Sequence, residues 1–279
     1  MTNRTFVVTG GNTGIGRAIA QALAAAEHHV VITSRNQDRG VQAVAGIQQA
    51  IRHANVEMVI GDLSTIASTH QLADTLLERF PNIAVLINNA GVWMLKKQIN
   101  PDQLEYSFMV NHLAPFILST RLLPCLKANA PARIVNVNAG LYTMGKLNLD
   151  KTPYGRDFKA IKTYANTKLC NLLFTRELAR RIAGSGVTVN AVHPGVIRTH
   201  LGDASGIVGL LLRFMKRSWD TPEEGAKAPV WLATSPEVEG LNGQYFDLQT
   251  RTEVNETVKD EALCRQLWDL STTLGLAMN

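Results

Sequence analysis

Short runs of apolar residues alternate with amphipathic segments along most of this 279-residue chain, and this alternation restricts the fold more than any other feature. Continuous apolar runs are typical of strands in a parallel sheet, because helices cover both faces of such a sheet. Six runs fit this description: 6–8, 30–32, 56–60, 83–87, 134–137 and 187–192. A seventh strand is expected near 244–246. The pattern predicts an α/β fold with a doubly wound, mostly parallel, seven-stranded sheet and helices on both faces.

Helices are predicted in the segments that join these strands. Apolar residues recur at helical spacing in 15–26, 38–51, 66–80, 101–126 and 159–182. Thr221 precedes Pro222, and proline suits the first position of a helix, so another helix is expected to start there. A terminal helix is expected over 255–274. Because no linker or repeat divides the chain, a single domain over residues 1–279 is predicted.

Composition and charge exclude several classes of protein. Hydrophobic residues make up 46% of the chain and charged residues 18%, which is ordinary for a folded globular protein. The net charge is +5, but Lys and Arg occur in no run longer than a pair, so nucleic acid is not an expected partner. No signal peptide and no transmembrane segment are expected. The three cysteines form no Cys-x-x-Cys motif, which favours reduced thiols, no metal site and a cytoplasmic protein.

A glycine-rich turn from Thr9 to Gly16 lies between the first predicted strand and the first predicted helix. Here the pyrophosphate of a dinucleotide would meet bare backbone amides and a helix N-terminus. Gly10 can take the positive φ of the turn, Gly14 lets the backbone approach a phosphate, and Gly16 allows close helix packing. The strand–turn–helix context therefore predicts a dinucleotide site.

The end of the second predicted strand decides which nucleotide fits. A carboxylate there would bind the ribose 2′-hydroxyl of NAD, but the chain reads Thr33-Ser34-Arg35-Asn36. Arg35 could pair with a 2′-phosphate, and Arg17 could add to the positive field. The alternative is that both arginines are ordinary solvated surface residues. The sequence favours NADP(H).

Tyr164 and Lys168 lie four residues apart on a predicted helix, so both side chains face the same way. A nearby ammonium group favours the charged form of a phenol, and we expect it to lower the pKa of Tyr164 toward the range useful for proton transfer. A Tyr-x-x-x-Lys spacing is common by chance. When it occurs together with the glycine-rich turn, this spacing becomes a specific indication of a functional pair.

On these motifs together, the chain resembles the short-chain dehydrogenase/reductase family over essentially its full length. Asp62-Leu63 is similar to the family's adenine-contacting pair, Asn88-Asn89-Ala90-Gly91 to its signature after the fourth strand, and 193–199 to the segment at the nicotinamide end. The resemblance implies a Rossmann fold, with Tyr164 as general acid, Lys168 on the nicotinamide ribose, and Asn111 supporting a proton relay. The cofactor-binding residues that it implies, together with Arg35, are Gly10, Asn12, Thr13, Gly14, Ile15, Gly16, Asp62, Leu63, Asn89, Ala90, Gly91, Tyr164, Lys168, Pro194, Gly195, Val196 and Thr199.

Within the family, the segment NTGIGR at 12–17 and the segment LARR at 178–181 are most similar to the retinol dehydrogenase and WW-domain oxidoreductase branch. The long stretch before Tyr164 has the same length as in that branch. This similarity implies a small lipophilic carbonyl or alcohol as substrate. No membrane anchor or WW module of that branch is recognised here, so retinoid turnover is not carried over. Assembly into a homodimer or homotetramer is also implied.

One position departs from the family pattern. Ala139 stands where the family has a serine that hydrogen-bonds the substrate carbonyl. Loss of one such donor costs about 10² to 10³ in rate. Three explanations remain open. A neighbouring donor such as Asn138, Tyr142 or Thr143 takes over, and the loop residues Tyr142 and Thr143 are favoured because strand alternation turns Asn138 away from the face of Ala139. Alternatively the substrate, for example an enone, needs no donor, or the chain binds NADP(H) for non-redox chemistry or as a sensor or partner-binding module.

The residues at about 200–220 are predicted to form a substrate lid, because apolar side chains alternate there with glycines that permit movement. An amphipathic helix packed on the core, a dimer contact and a shallow membrane contact are alternatives. Trp93, Met94, Tyr142 and Met144 are expected to line the pocket, whereas His112 and His193 are expected to be structural.

Overall fold

The computed structural model describes residues 4–195 and 221–276. Their strands form one eight-stranded sheet in the order β3-β2-β1-β4-β5-β6-β7-β8. The strands are β1 Thr5–Val8, β2 His29–Ser34, β3 Val56–Ile60, β4 Ile83–Asn88, β5 Ala132–Val137, β6 Val187–His193, β7 Tyr245–Asp247 and β8 Thr250–Arg251. Every neighbouring pair is parallel except the hairpin of β7 and β8. The predicted fold class is confirmed.

The predicted number of strands is wrong by one. The additional strand, β8, has two residues, and both are exposed. An exposed two-residue strand buries nothing, so it leaves no apolar run in the sequence.

The helices of the described residues follow the predicted alternation, with two differences. They are α1 Gly14–Ala25, α2 Gln37–Ala50, α3 Ile66–Arg79, α4 Tyr106–Phe108, α5 Ala114–Ala128, α6 Ala160–Arg181, α7 Pro222–Thr234, α8 Glu256–Lys259 and α9 Glu261–Gly275. The helix predicted over 101–126 starts at Tyr106 and passes through a π-helical turn, Met109–Leu113, between α4 and α5. The predicted terminal helix is broken at Asp260, whose carboxylate accepts from the amides of Ala262 and Leu263 and so starts α9.

Two layers of helices cover the sheet. One buried cluster joins the sheet to α1, α2 and α7, and the other joins it to α3, α5, α6 and α9. The strand order reverses between β1 and β4, where successive crossovers leave in opposite directions. In such sheets ligands bind at the carboxyl ends of the strands beside this point.

The C-terminal helix α9 packs on the outer surface of α5 and α6. Trp268 contacts Phe116 of α5 at 5.0 Å between ring centroids and Phe174 of α6 at 6.1 Å. Ser271 of α9 lies 2.9 Å from Nε2 of His112 in the π-helical turn. This helix therefore covers the apolar surface that α5 and α6 turn away from the sheet.

None of the helices in the described ranges has both the length and the apolar character needed to cross a membrane.

Candidate active site

The glycine-rich turn is shaped for a ligand that carries negative charge. Gly10 and Gly14 have φ of 64° and 54°, a left-handed region that glycine adopts without strain. α1 begins at Gly14, its N-cap Thr13 makes no side-chain capping bond, and its first turn holds no acidic residue. The first amides of α1 therefore keep their hydrogen-bonding capacity for an anion.

The turn packs against the end of β4. Oγ1 of Thr9 accepts from the amides of Asn89 and Ala90, both at 3.0 Å, and Nδ2 of Asn89 donates to the Thr9 carbonyl at 2.9 Å. A Cβ on Gly16 would stand 2.4 Å from the Gly10 carbonyl oxygen, so only glycine fits there. The predicted residues Gly10, Asn12, Thr13, Gly14, Ile15, Gly16, Asn89, Ala90 and Gly91 thus belong to two adjoining segments at the carboxyl ends of β1 and β4.

Arg35 follows β2 directly and is exposed. Its Nη1 donates to the Tyr106 hydroxyl at 3.1 Å, and the neighbouring Asn36 caps α2 through the Arg39 amide. No carboxylate occurs between Thr33 and Asn36, so the donors at this strand end suit a phosphate. Arg17, the second cation expected here, lies instead over α2: its Nη2 is 2.6 Å from the position of a Cβ on Gly46.

Asp62 and Leu63 follow β3. The Asp62 carboxylate is exposed and accepts from the amide and hydroxyl of Ser64 at 3.0 and 2.7 Å, whereas Leu63 is buried. The pair stands at the same edge of the sheet as Arg35, because β2 and β3 are parallel neighbours.

Tyr164 and Lys168 lie on α6 and face the end of β5. The Lys168 ammonium donates to the Val137 carbonyl at 3.1 Å and is 5.6 Å from the centre of the Tyr164 ring. Both side chains are buried, with 6% of Tyr164 and 5% of Lys168 exposed.

Asn111 fixes the loop after β4 to α6. Its Oδ1 accepts from the Val92 amide at 2.7 Å, and its Nδ2 donates to the Val92 carbonyl at 2.8 Å and to Oγ1 of Thr167 at 3.0 Å. A Cβ on Gly91 would be 3.5 Å from Oδ1 of Asn111 and 3.8 Å from Nζ of Lys168. The structure therefore brings Asn111, Lys168 and Gly91 together. Asn111 occupies the π-helical turn, a distortion that often occurs at functional sites.

Burial moves the pKa values of the two α6 groups in opposite directions. It lowers the pKa of Lys168 to about 8 and raises the pKa of Tyr164 well above its ordinary value. The expectation that the lysine lowers the pKa of Tyr164 is therefore wrong for this structure: the phenol loses its solvation, and the ammonium group stands 5.6 Å from the ring.

Trp93, in the loop after Gly91, lies flat on Tyr164. The ring centroids are 5.0 Å apart with an angle of 18° between the planes. Nε1 of Trp93 donates to the Ala160 carbonyl at 3.1 Å, which fixes the indole at the start of α6. Pairs of this kind contribute about 0.5–1.5 kcal/mol beyond their area burial. The sequence indicated Trp93 as a lining residue, but it gave no sign of this stacking.

The three side chains suggested as donors in place of a hydroxyl at position 139 differ in their surroundings. The Thr143 hydroxyl donates to the Gly140 carbonyl at 3.1 Å, and Tyr142 is buried against Tyr245 of β7, 5.2 Å between centroids. Asn138 is 3% exposed, and neither amide atom of its side chain has a hydrogen-bond partner. Asn138 therefore has unused hydrogen-bonding capacity next in the chain to Ala139, but both of its amide atoms are buried, as expected for a side chain turned away from the face of Ala139.

The last predicted segment is described in part. Pro194 is buried, and Gly195 has φ of 93°. Val196, Thr199 and the predicted lid at 200–220 lie outside the described residues.

Histidines in the described ranges do not form a metal site. No group of three or more potential metal ligands occurs there. His112 is completely buried, and desolvation lowers its pKa to about 3, so it is neutral at physiological pH.

The comparisons with known proteins agree with one another on the family. The family model for short chain dehydrogenase matches residues 4–206. Retinol dehydrogenase 14 of Homo sapiens is 37% identical over 292 residues, covering 98% of this chain and 87% of the human protein. The crystal structure of a protein from Mycobacterium paratuberculosis superposes with a TM-score of 0.78 at 27% identity, covering 98% of this chain and 93% of the other. A short chain dehydrogenase from Burkholderia cenocepacia, solved in complex with NADP, has a TM-score of 0.70 at 26% identity, with coverage of 88% and 96%.

Proposed function

Because the chain belongs to the short chain dehydrogenase family, we propose that it is an NADP(H)-dependent oxidoreductase acting on lipophilic aldehydes, ketones, alcohols or enones. The observation that carries the proposal is the meeting of Lys168 and Asn111 beside Gly91, with the Tyr164 ring centre 5.6 Å from the Lys168 ammonium, at the strand ends that also hold the glycine-rich turn. The NADP complex of the Burkholderia relative supports the choice of cofactor. The apolar side chains of Leu95, Met144 and Ile161, each about half exposed, support an apolar substrate.

The turn residues and Arg35 suit two negatively charged groups of NADP(H), the central pyrophosphate and the 2′-phosphate of the adenosine half. The free amides at the start of α1 would bind the pyrophosphate, and Arg35 would pair with the 2′-phosphate. When bound, this cofactor supplies a hydride for a carbonyl carbon or for the β-carbon of an enone.

Tyr164 would give its hydroxyl proton to the oxygen that becomes negative as the hydride arrives. Its raised pKa keeps the phenol protonated, which suits a general acid in the reducing direction. Lys168 would keep a positive charge beside the ring and pass a replacement proton from solvent. Asn111 would act by position, because both atoms of its side-chain amide are held by hydrogen bonds to Val92 or Thr167.

Ala139 favours one second candidate, in which the chain binds NADP(H) without redox chemistry, as a sensor or partner-binding protein. Oxidation of NADPH by a panel of lipophilic aldehydes, ketones and enones separates the two. We expect turnover in the wild type and a loss of at least about 10²-fold in Tyr164→Phe, with NADPH binding retained. A silent wild type beside an active Ala139→Ser variant would favour the second candidate. Equal turnover of wild type and Tyr164→Phe would remove Tyr164 from the mechanism.

A further inference from the structure

We propose that Trp93 determines which substrates reach Tyr164, by admitting flat molecules and excluding those with bulk above the plane of the reacting group. The inference rests on the proposed function, since it concerns the substrate of that same site.

The contact between Trp93 and Tyr164 is nearly parallel. The centroid separation of 5.0 Å and the plane angle of 18° describe an offset stack, in which the indole lies over part of one face of the phenol. In the proposed arrangement, a substrate that takes the Tyr164 proton lies beside the indole as it reaches the phenol. A thick group there would overlap with Trp93, whereas a flat one can lie parallel to both rings.

Trp93 is held in this position and cannot turn aside freely. Its Nε1 donates to the carbonyl of Ala160, the first residue of α6, at 3.1 Å. The loop that carries it is fixed at the preceding residue, Val92, by two hydrogen bonds to Asn111. The position of the indole is thus fixed by hydrogen bonds to the helix that carries Tyr164 and, through Val92, to the turn that carries Asn111.

The surroundings of Trp93 favour apolar ligands. The indole is half-buried, so part of it remains open to solvent. Leu95 lies two residues further along the same loop with 45% exposed, and Ile161 follows Ala160 with 52% exposed. Exposed large apolar residues are typical of ligand-binding surfaces when they lie together, and these two are close in the chain to Trp93 and to its acceptor Ala160.

Two unreactive amides test the proposal without any need for turnover. 2-Naphthamide is flat and 1-adamantanecarboxamide is a globular cage, and the two have the same number of heavy atoms. Their dissociation constants are measured by calorimetry on the protein saturated with NADPH, for the wild type, Trp93→Ala, Trp93→Phe and the control Trp231→Phe. Trp231 is a suitable control, because it lies on α7 and bonds Glu237, in the helix layer on the opposite face of the sheet.

We expect the wild type and Trp231→Phe to prefer the flat amide, and Trp93→Ala to reduce this preference by about tenfold or more, chiefly through tighter binding of the cage. Trp93→Phe keeps a ring but loses the hydrogen bond to Ala160, so its preference for the flat amide should fall between that of the wild type and that of Trp93→Ala. Retained NADPH binding shows that each variant is folded. An unchanged ratio in Trp93→Ala, or binding of neither amide to the wild type, would overturn the proposal. If the ratio of the two dissociation constants shifts in Trp93→Ala but no carbonyl compound is reduced, the role of Trp93 stands and the proposed reductase activity is rejected.

Discussion

Burial gives Tyr164 and Lys168 complementary proton chemistry. Desolvation disfavours the charged form of each side chain, so the phenol holds its proton more tightly and the ammonium group less tightly than in water. At neutral pH the pair is therefore a protonated acid beside a cation that is close to its own titration range. This combination suits the reducing direction, in which the tyrosine must donate a proton.

Binding of NADPH should weaken above pH 8. The pKa of Lys168 is lowered to about 8, so in the cofactor-free protein its positive charge is present below this pH and is lost above it. We expect the dissociation constant for NADPH, measured by fluorescence titration from pH 6.5 to 9.5, to rise by up to about tenfold per pH unit beyond 8. Lys168→Met should bind more weakly and show no such rise. A flat profile in the wild type would contradict the role of this charge.

Arg35 should set the preference for NADPH over NADH. Charge-assisted hydrogen bonds to a phosphate are worth about 1.5–3 kcal/mol, and an aspartate would repel it. We expect Arg35→Asp to lower the ratio of kcat/KM with NADPH to kcat/KM with NADH by about 100-fold. Tyr106→Phe removes only the hydroxyl that holds Arg35 and should cost much less. An unchanged ratio in Arg35→Asp would count against the phosphate contact.

At the scale of elements, the π-helical turn connects the site to the C-terminal helix. Asn111 in this turn bonds the loop that carries Trp93, and the next residue, His112, bonds Ser271 of α9. The turn is thus fixed on both sides, which keeps Asn111 in place beside Lys168.

His112 should make the fold sensitive to acid. Its pKa is about 3 in the folded protein and near 6.5 when unfolded, so between these values the unfolded state binds the extra proton and stability falls as pH falls. Between pH 7 and pH 5 this costs about 2 kcal/mol. Urea unfolding of the wild type and His112→Gln at both pH values checks this: the variant should lose about 2 kcal/mol less. Equal losses of stability in the wild type and the variant would contradict this role of His112.

Elements that bury apolar residues were predictable, and those defined by single polar contacts were not. β4, for example, is buried along its whole length and therefore appears in the sequence as an apolar run. The break at Asp260 depends on one carboxylate inside a segment with helical spacing, and the π-helical turn leaves the apolar pattern intact. In the site, the four-residue spacing of Tyr164 and Lys168 was enough to predict that the two side chains lie on the same face of a helix. The contact of Trp93 with the start of α6 joins residues 67 apart, which spacing cannot indicate.

At the scale of the whole molecule, α9 occupies a surface that would otherwise be apolar and exposed. Phe116 and Phe174 are almost completely buried, and Trp268 of α9 lies on both. We therefore expect the predicted homodimer or homotetramer, if it forms, to use a different surface from this one.

Removal of the α9 contact should lead to self-association. Trp268→Ala takes away the ring that covers the two phenylalanines, and we expect it to lower the free energy of unfolding by about 2–3 kcal/mol and to raise the mass measured by light scattering. Asp269→Ala, a change at the adjacent exposed residue, is the matched control. Stability and mass equal to those of the control would contradict the covering role.

Transfer of deuterium tests the central claim, that this chain reduces a carbonyl with NADPH through Tyr164, most directly. NADPH carrying deuterium at the transferable C4 position is incubated with 2-naphthaldehyde and the wild type, and the alcohol is analysed by mass spectrometry. We expect one deuterium on the carbinol carbon with the wild type and at least about 10²-fold less product with Tyr164→Phe. Turnover without deuterium in the product, or equal labelled product from the variant, would contradict it.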